Sequence, residues 1–338
     1  MKLSIIIPAY NVEKCIISCL NSLYNQNISE EDYELIIVND GSTDNTQAIA
    51  IEYAKKHSNI IVHTQKNVGL GATRNKGLDL AKGEYVYIID PDDYLAKGSI
   101  DIILKVCDKN NVEILTFNSL RTESYMLLDS YTSNKKIEKL EIFTGIEYMG
   151  KKNYKNESWW YIINREFLIN TGMRFITGRW MEDAIFTASL FLKTNRMAHI
   201  DLDVHRYVRT PNSAMMNTEE THFKKVIYDN ANAAVVYHDL IKSTEPLGVE
   251  KTIKRMKVRK ESFVFFLIAR AMRSTLKFNQ VWEILKEMKS IEAYPLKNFT
   301  TLDYTAIKYK LISPIFNNKI LLLISFKFYR TIKTYISK

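Results

Sequence analysis

Asp90, Asp92 and Asp93 crowd three carboxylates into four positions, directly after the apolar run Tyr85–Ile89. Carboxylates at that spacing repel one another. A hard divalent cation relieves the repulsion and bridges to phosphate oxygens, so Mn²⁺ or Mg²⁺ is the expected cofactor. The competing reading is an Asp-rich turn in which Pro91 bends the chain and a side chain caps the next helix.

Four further constellations carry polar chemistry. Pro8-Ala9-Tyr10-Asn11 is either a plain strand-ending turn or a tight exit that would bring backbone and Tyr10 close to a bound base. Asp40, in Val38-Asn39-Asp40-Gly41-Ser42-Thr43-Asp44, is placed to accept from a uracil or guanine N–H, whereas Asp44 reads as a helix N-cap. Gly69, Gly71 and Ala72 allow close approach to a helix start, where backbone amides favour anions, and Arg74 follows in the first turn within reach of a diphosphate or sugar. This stretch is neither a Walker A loop nor a dinucleotide fingerprint. Glu182 and Asp183 precede an apolar helical face. They are either a charge pair favoured by the helix dipole or an acid facing an acceptor hydroxyl. His205 is a candidate to complete a metal shell, although an isolated histidine is more often structural. Arg209 is a candidate to close over a diphosphate. Trp159 and Trp160 are candidates to stack on an acceptor sugar, with core packing as the alternative.

The elements that must position these groups alternate. Leu3–Ile7, Leu35–Val38, Ile60–His63, Tyr85–Ile89 and Glu113–Phe117 read as strands. Helices are expected from about Val12 to Tyr24 with Asn11 as cap, from Ser42-Thr43-Asp44 to about Lys56, over Gly69–Ala81 and over Ser99–Asp108. Strands separated by helix-length segments predict βαβ units, hence an α/β, doubly wound, mostly parallel sheet with ligands at its carboxyl ends. Loops and short helices are expected over Arg121–Asn156, a helical pattern over Ser158–Phe175, and an amphipathic helix over Trp180–Leu192. Beyond Thr218 the chain reads as helical, over Glu219–Lys242, Gly248–Met272 and Val281–Lys289.

The 338 residues are 46% hydrophobic and 25% charged, ordinary for a globular protein. Cys15, Cys19 and Cys107 lack metal-ligand spacing and read as reduced thiols, pointing to a cytoplasmic protein. No signal peptide is expected, and no apolar run approaches the ~20 residues that span a bilayer. The net charge is +9, but Lys251–Lys338 alone carries 19 Lys and Arg against 5 Asp and Glu. Lysines flank the short apolar run Ile320–Phe326 near the end. That combination suits an anionic membrane surface, with a packed C-terminal helix as the alternative. Nucleic acid is not an expected partner, because the positive residues lie among apolar runs rather than on a recognition module.

The stretches SIIIPAYN, LIIVNDGSTDNT, NVGLGATRNKG, YIIDPDD and MEDAIF together resemble a family 2 glycosyltransferase with the GT-A fold, in the family's order over about the first 210 residues. SWWYIINREFLINTGMRF and YVRTPNSAM resemble the family's later segments. Thr73 stands where Ala or Ser is more usual, and Pro91 interrupts the acidic motif. The resemblance implies a GT-A domain over residues 1–215 and leaves 216–338 as a helical, basic region. It implies inverting transfer from a nucleotide-sugar, such as a UDP-sugar, to a hydroxyl of a glycan or lipid-linked oligosaccharide acceptor. By that similarity Asp40 reads the base, Asp90 the ribose, Asp92 holds the metal with Asp93 beside it, and Asp183 is the general base with Glu182 as rival. The expected location is cytoplasmic, with attachment to the inner face of the cell membrane. A sugar-1-phosphate nucleotidyltransferase would want a Gly-rich basic loop where this chain has PAYNVEK. A non-catalytic nucleotide-sugar-binding scaffold would tolerate Asp183→Asn.

Overall fold

The computed structural model describes residues 1–132, 140–209 and 219–336. It divides into two units. One comprises Met1–Gly145, Lys155–Gly178 and Glu182–Ser213; the other comprises Ile146–Tyr154, Arg179–Met181 and Ala214–Lys338.

In the first unit, β1 (Leu3–Ala9) is buried along its whole length, as is β2 (Tyr33–Asn39). Both centre on apolar runs, Ile5–Ile7 and Leu35–Val38, and the polar side chains within them, Ser4 and Glu34, bond each other at 2.6 Å instead of facing solvent, as a strand covered on both sides requires. β1 pairs in parallel with β2 on one side and with β4 (Tyr85–Ile88) on the other, and β3 (Ile60–Thr64) extends the β2 edge. The chain therefore winds outward from β1 to β3 and then returns to the opposite side of β1. That reversal is the point where open α/β sheets leave a crevice at their carboxyl ends. Tyr10, Asp40 and Asp90 all follow strands that end there.

Among the described residues the sheet has eight strands in the order β3-β2-β1-β4-β7-β6-β8-β5, with β5 at Tyr94–Leu95, β6 at Ile114–Thr122, β7 at Tyr161–Asn164 and β8 at Met197–Val208. Four pairings are parallel and three antiparallel, the latter all involving β7 or β5. The α/β expectation holds, with β7 as the departure. Within Ser158–Phe175, expected to be helical, Tyr161-Ile162-Ile163 instead fills the gap between β4 and β6. Its aromatic and β-branched side chains suit a pleated, buried position. Only then does α6 (Arg165–Thr171) begin, with Asn164 accepting from the Phe167 amide as N-cap and Gly172 closing it in the left-handed region.

Other boundaries shift for local reasons. α1 (Ile16–Leu23) starts four residues later than expected, because Asn11 has φ +52° and its carboxamide accepts from the Thr43 amide instead of capping a helix. α2 (Thr46–Lys56) starts after Asp44, whose oxygens accept from the Thr46 and Glu13 amides and so join two loops. α3 (Leu70–Leu80) and α4 (Ser99–Asn110) follow the pattern. β6 runs on to Thr122, past the expected end at Phe117. α7 (Glu182–Phe191) is shorter than expected and buried nearly all round, so it is a core helix and not an amphipathic one.

In the second unit, α5 (Gly145–Lys151, of which Gly145 belongs to the first unit) precedes a helical array. α8 (Glu220–Thr244) and α9 (Glu250–Arg273) pack through Ala233, Tyr237, Phe263 and Leu267, joined by a short turn in which Gly248 takes φ +68°. α10 (Phe278–Ser290), α11 (Ile307–Asn317) and α12 (Lys319–Ile336) complete it. Arg255 and Arg259 lie 3.5 and 3.4 Å from the carboxylate of Asp303, a buried cluster in which one acid serves two guanidinium groups.

Candidate active site

Asp40 leaves β2 at the crevice and is buried. Its Oδ1 accepts from the Gln65 side chain and the Val68 amide at 2.9 and 3.0 Å, and its Oδ2 from the Gly69 amide at 2.9 Å. The carboxylate thus pins the loop ahead of α3, and Gln65 adds a second tie to Thr73. Gly69 sits at φ +90°, a conformation that favours glycine. Tyr10 is about half exposed (48%) beside this loop's strand, while Pro8 is buried within β1, opposite Val38.

Arg74 projects from α3 and is almost wholly buried. Nη1 donates to Glu182 Oε1 at 2.7 Å and Nη2 to Asp90 Oδ1 at 3.0 Å, while its guanidinium lies 5.4 Å from the Phe175 ring centre. Burial opposes charge on Arg74, but Asp90 and Glu182 outweigh it and hold the guanidinium protonated more firmly than water does. This fork ties α3 to the loop after β4, 16 residues on, and to the start of α7, 108 residues on. Asn75 reinforces the same joint, donating to the Phe175 carbonyl and accepting from its amide. A Cβ at Gly71 would lie 2.3 Å from the Ile176 carbonyl oxygen, so α3 can approach this segment only with glycine there. Gly71→Ala is expected to destabilise the fold by about 1–3 kcal/mol through overpacking. A chemical denaturation midpoint equal to wild type would show instead that the Ile176 segment yields.

Glu182 and Asp183 open α7, preceded by Met181 in the left-handed region at φ +66°, an unusual conformation for a long side chain. Glu182 is spoken for by Arg74. Asp183 is half-buried, with Oδ1 accepting from the Ala184 amide at 2.7 Å. Burial raises its pKa well above the usual carboxylate range, and the adjacent Glu182 raises it further. It is thus the acid of the pair that no cation neutralises among the described residues. An acid in that position is suited to receiving a proton.

Asp90, Asp92 and Asp93 diverge after β4. Asp90 is half-buried on Arg74. Asp92 is half-buried, and burial with the charges of Asp90 and Asp93 pushes it up to about 7. Asp93 is buried: Oδ1 accepts from the Val208 amide at 2.8 Å and Oδ2 lies 3.1 Å from His205 Nε2. Burial lifts Asp93 to about 8 and lowers His205 to about 3, so His205 stands there as a neutral imidazole and not a counter-charge. Its Nδ1 is 2.9 Å from Ser119 Oγ, and its ring stacks on Trp159 at 4.2 Å. Among the described residues no three acidic, His or Cys side chains converge as a preformed metal cage. Mg²⁺ and Mn²⁺ need less than that, since one or two carboxylates and substrate phosphates suffice. Asp92, whose charge is uncompensated, fits such a role; the oxygens of Asp93 already face protein groups.

The remaining candidates lie as follows. Trp159 is buried between His205 and the Lys155 ammonium, 5.0 Å from its ring centre, and Trp160 is buried against Tyr161 and Phe191. Arg209 is exposed, its amide donating to the Thr122 carbonyl at 3.0 Å, and the rest of its loop (210–218) lies outside the described residues. Sequence reasoning missed Gln65, Asn75 and Phe175, which position others. Only Asn75, next to Arg74 in its motif, had a local signal.

The chain is 31% identical over 214 residues to the uncharacterized glycosyltransferase EpsJ of Bacillus subtilis, a match covering 62% of each chain. The similarity therefore spans less than two thirds of that relative's length. The structure of Staphylococcus aureus TarS 1–349 in complex with UDP-GlcNAc superposes with a TM-score of 0.62 at 19% identity, covering 98% of this chain and 92% of that one. The mannosyltransferase PcManGT of Pyrobaculum calidifontis, in complex with GDP-Man and Mn²⁺, gives 0.54 at 16% identity, covering 94% and 86%. The likeness to TarS gives the chain the GT-A fold. The sequence model of glycosyl transferase family 2 matches residues 4–187, more than half of the chain, and the protein belongs to that family.

Proposed function

We propose that this protein transfers a sugar from a nucleoside-diphosphate donor to an acceptor hydroxyl in a single displacement that inverts the anomeric centre. The observation that carries the reading is the Arg74 fork. It neutralises Glu182 and leaves Asp183 as the one unpaired acid at the start of α7. Asp183, which has no ion-pair partner among the described residues, serves as general base. It takes the acceptor proton as the hydroxyl oxygen bonds to the anomeric carbon and the bond to the diphosphate breaks.

The other roles follow from position. Tyr10 and the Asp40-pinned loop flank the base, and Asp90, held by Arg74, faces the ribose. Asp92 would hold a divalent cation, which when bound offsets charge on the departing diphosphate. Asp93 and His205 keep the turn that presents Asp92 in place. Arg209, exposed just beyond β8, would contact the diphosphate. A UDP-sugar is the donor favoured by the likeness to TarS, and a glycan or lipid-linked saccharide the acceptor class.

Nucleoside-diphosphate release from UDP-GlcNAc, UDP-glucose and GDP-mannose, with Mn²⁺, Mg²⁺ or EDTA, tests this. Release from one donor that EDTA abolishes is the expected result. Equal release with EDTA would remove the cation from the account, and no donor binding by calorimetry would remove the transferase reading.

A further inference from the structure

α11 and α12 present an apolar surface that the protein leaves uncovered. On α12, Leu322 and Phe326 are buried within the second unit, Phe326 against Phe278, and Arg330 donates to the Ser274 and Leu276 carbonyls. That settles which side of the helix faces inward. Ile320, Leu321, Ile324, Phe328 and Ile332 are exposed, Ile320 at 69% and Phe328 at 67%. At 100° per residue these five fall within an arc of about 120°. Ile307 and Leu311, one turn apart on α11, are 70% and 65% exposed. Soluble surfaces seldom group large apolar side chains in this way unless something covers them.

Charge identifies the cover. Asp303 is the last acidic residue in the sequence, and it lies inside the unit with Arg255 and Arg259. Residues 304–338 then carry seven Lys and Arg and no Asp or Glu. Lys308, Lys310, Lys319 and Lys327 are exposed along the same two helices. A second copy of the chain docking through this face would oppose like charges across an isologous contact. Among the described residues no single helix is long and apolar enough to cross a membrane, and α11 and α12 bend by 110° at their junction. Apolar side chains bordered by lysines on short, sharply angled helices suit a position in the plane of a bilayer surface.

We propose that the outer face of α11 and α12 is a membrane-docking surface that seats on anionic phospholipid, with Ile324 and Phe328 inserted among the acyl chains and the lysines at the headgroups. The proposal concerns binding alone and stands apart from the catalytic reading. Flotation of the full chain with phosphatidylcholine vesicles, with and without 30% phosphatidylglycerol, tests it at low and high salt. Binding only to the anionic vesicles, weakened by salt, is expected. The double variant Ile324→Glu/Phe328→Glu should reduce it at least tenfold, and so should replacing the four exposed lysines with Gln, at roughly fivefold per cation. Lys308 and Lys319 also lie over the Tyr309 and Trp282 rings, 5.0 and 4.7 Å from their centres, so the exposed pair Lys310→Gln/Lys327→Gln, expected to weaken binding in the same direction, keeps a folding defect from mimicking the result. Absence of binding to anionic vesicles overturns the proposal. Equal binding to neutral vesicles overturns the role of charge. A salt-stable dimer in gel filtration that the Glu variant dissociates would assign the face to self-association instead.

Discussion

Asp183→Asn is expected to lower kcat by about 10²–10⁴-fold, the range that a general base contributes, while leaving donor binding near wild type. Asn is close in size and keeps an oxygen for the Ala184 amide, so the fold has no reason to change. Glu182→Gln should cost much less in turnover, because Glu182 is held in its ion pair with Arg74 and is not free to receive the acceptor proton. The pair of variants separates two adjacent acids that helical spacing alone does not. The pH profile adds a sign. A base must be deprotonated to act, and burial together with Glu182 raises the pKa of Asp183. Turnover should therefore fall as pH drops through a value above the ordinary carboxylate range of ~4. A wild-type rate still flat at pH 4.5, or an Asp183→Asn enzyme within threefold of wild type, would take the role away from Asp183.

Removing Arg74 should have an effect of similar size on stability. Arg74→Ala leaves Glu182 buried without its cation and strips Asp90 of its partner, and breaking such a pair typically costs about 3–5 kcal/mol. In a unit of about 200 residues that corresponds to a melting midpoint lower by roughly 6–20 °C. Glu182 can escape part of the cost by taking a proton, so the loss should be smaller in acid than at neutral pH. Arg74→Lys restores the charge but not the two-pronged geometry, and is expected to fall between. An Arg74→Ala protein that melts with wild type would show that the fork between β4 and α7 holds nothing together.

What could be read in the sequence followed the range of the forces involved. Buried runs such as Leu3–Ile7 and Leu35–Val38 announce strands because covering both faces leaves no polar alternation, and helix-length spacers then impose the α/β order. The carboxyl ends of those strands also place Tyr10, Asp40 and Asp90 together, because strand order alone dictates it. Tyr161–Ile163 was misread as helical because a short apolar run looks alike in either state, and its antiparallel place depends on a gap between β4 and β6 that no local signal records. Arg74 reads from its motif as within reach of a diphosphate or sugar, and no local signal records that its protein partners lie 16 and 108 residues away. Asp93 and His205 each looked like metal ligands singly, and their mutual 3.1 Å approach comes only from β8 crossing beside β4's exit loop.

The measurement that bears most directly on the central claim is the anomeric configuration of the sugar released when water replaces the acceptor. With UDP-GlcNAc as donor at high enzyme concentration, proton NMR recorded before mutarotation reports the first anomer formed. A single displacement with Asp183 as base predicts the β-anomer from the α-linked donor. Release of the α-anomer would require a different path, and the assignment of Asp183 as the base of an inverting transfer would fall.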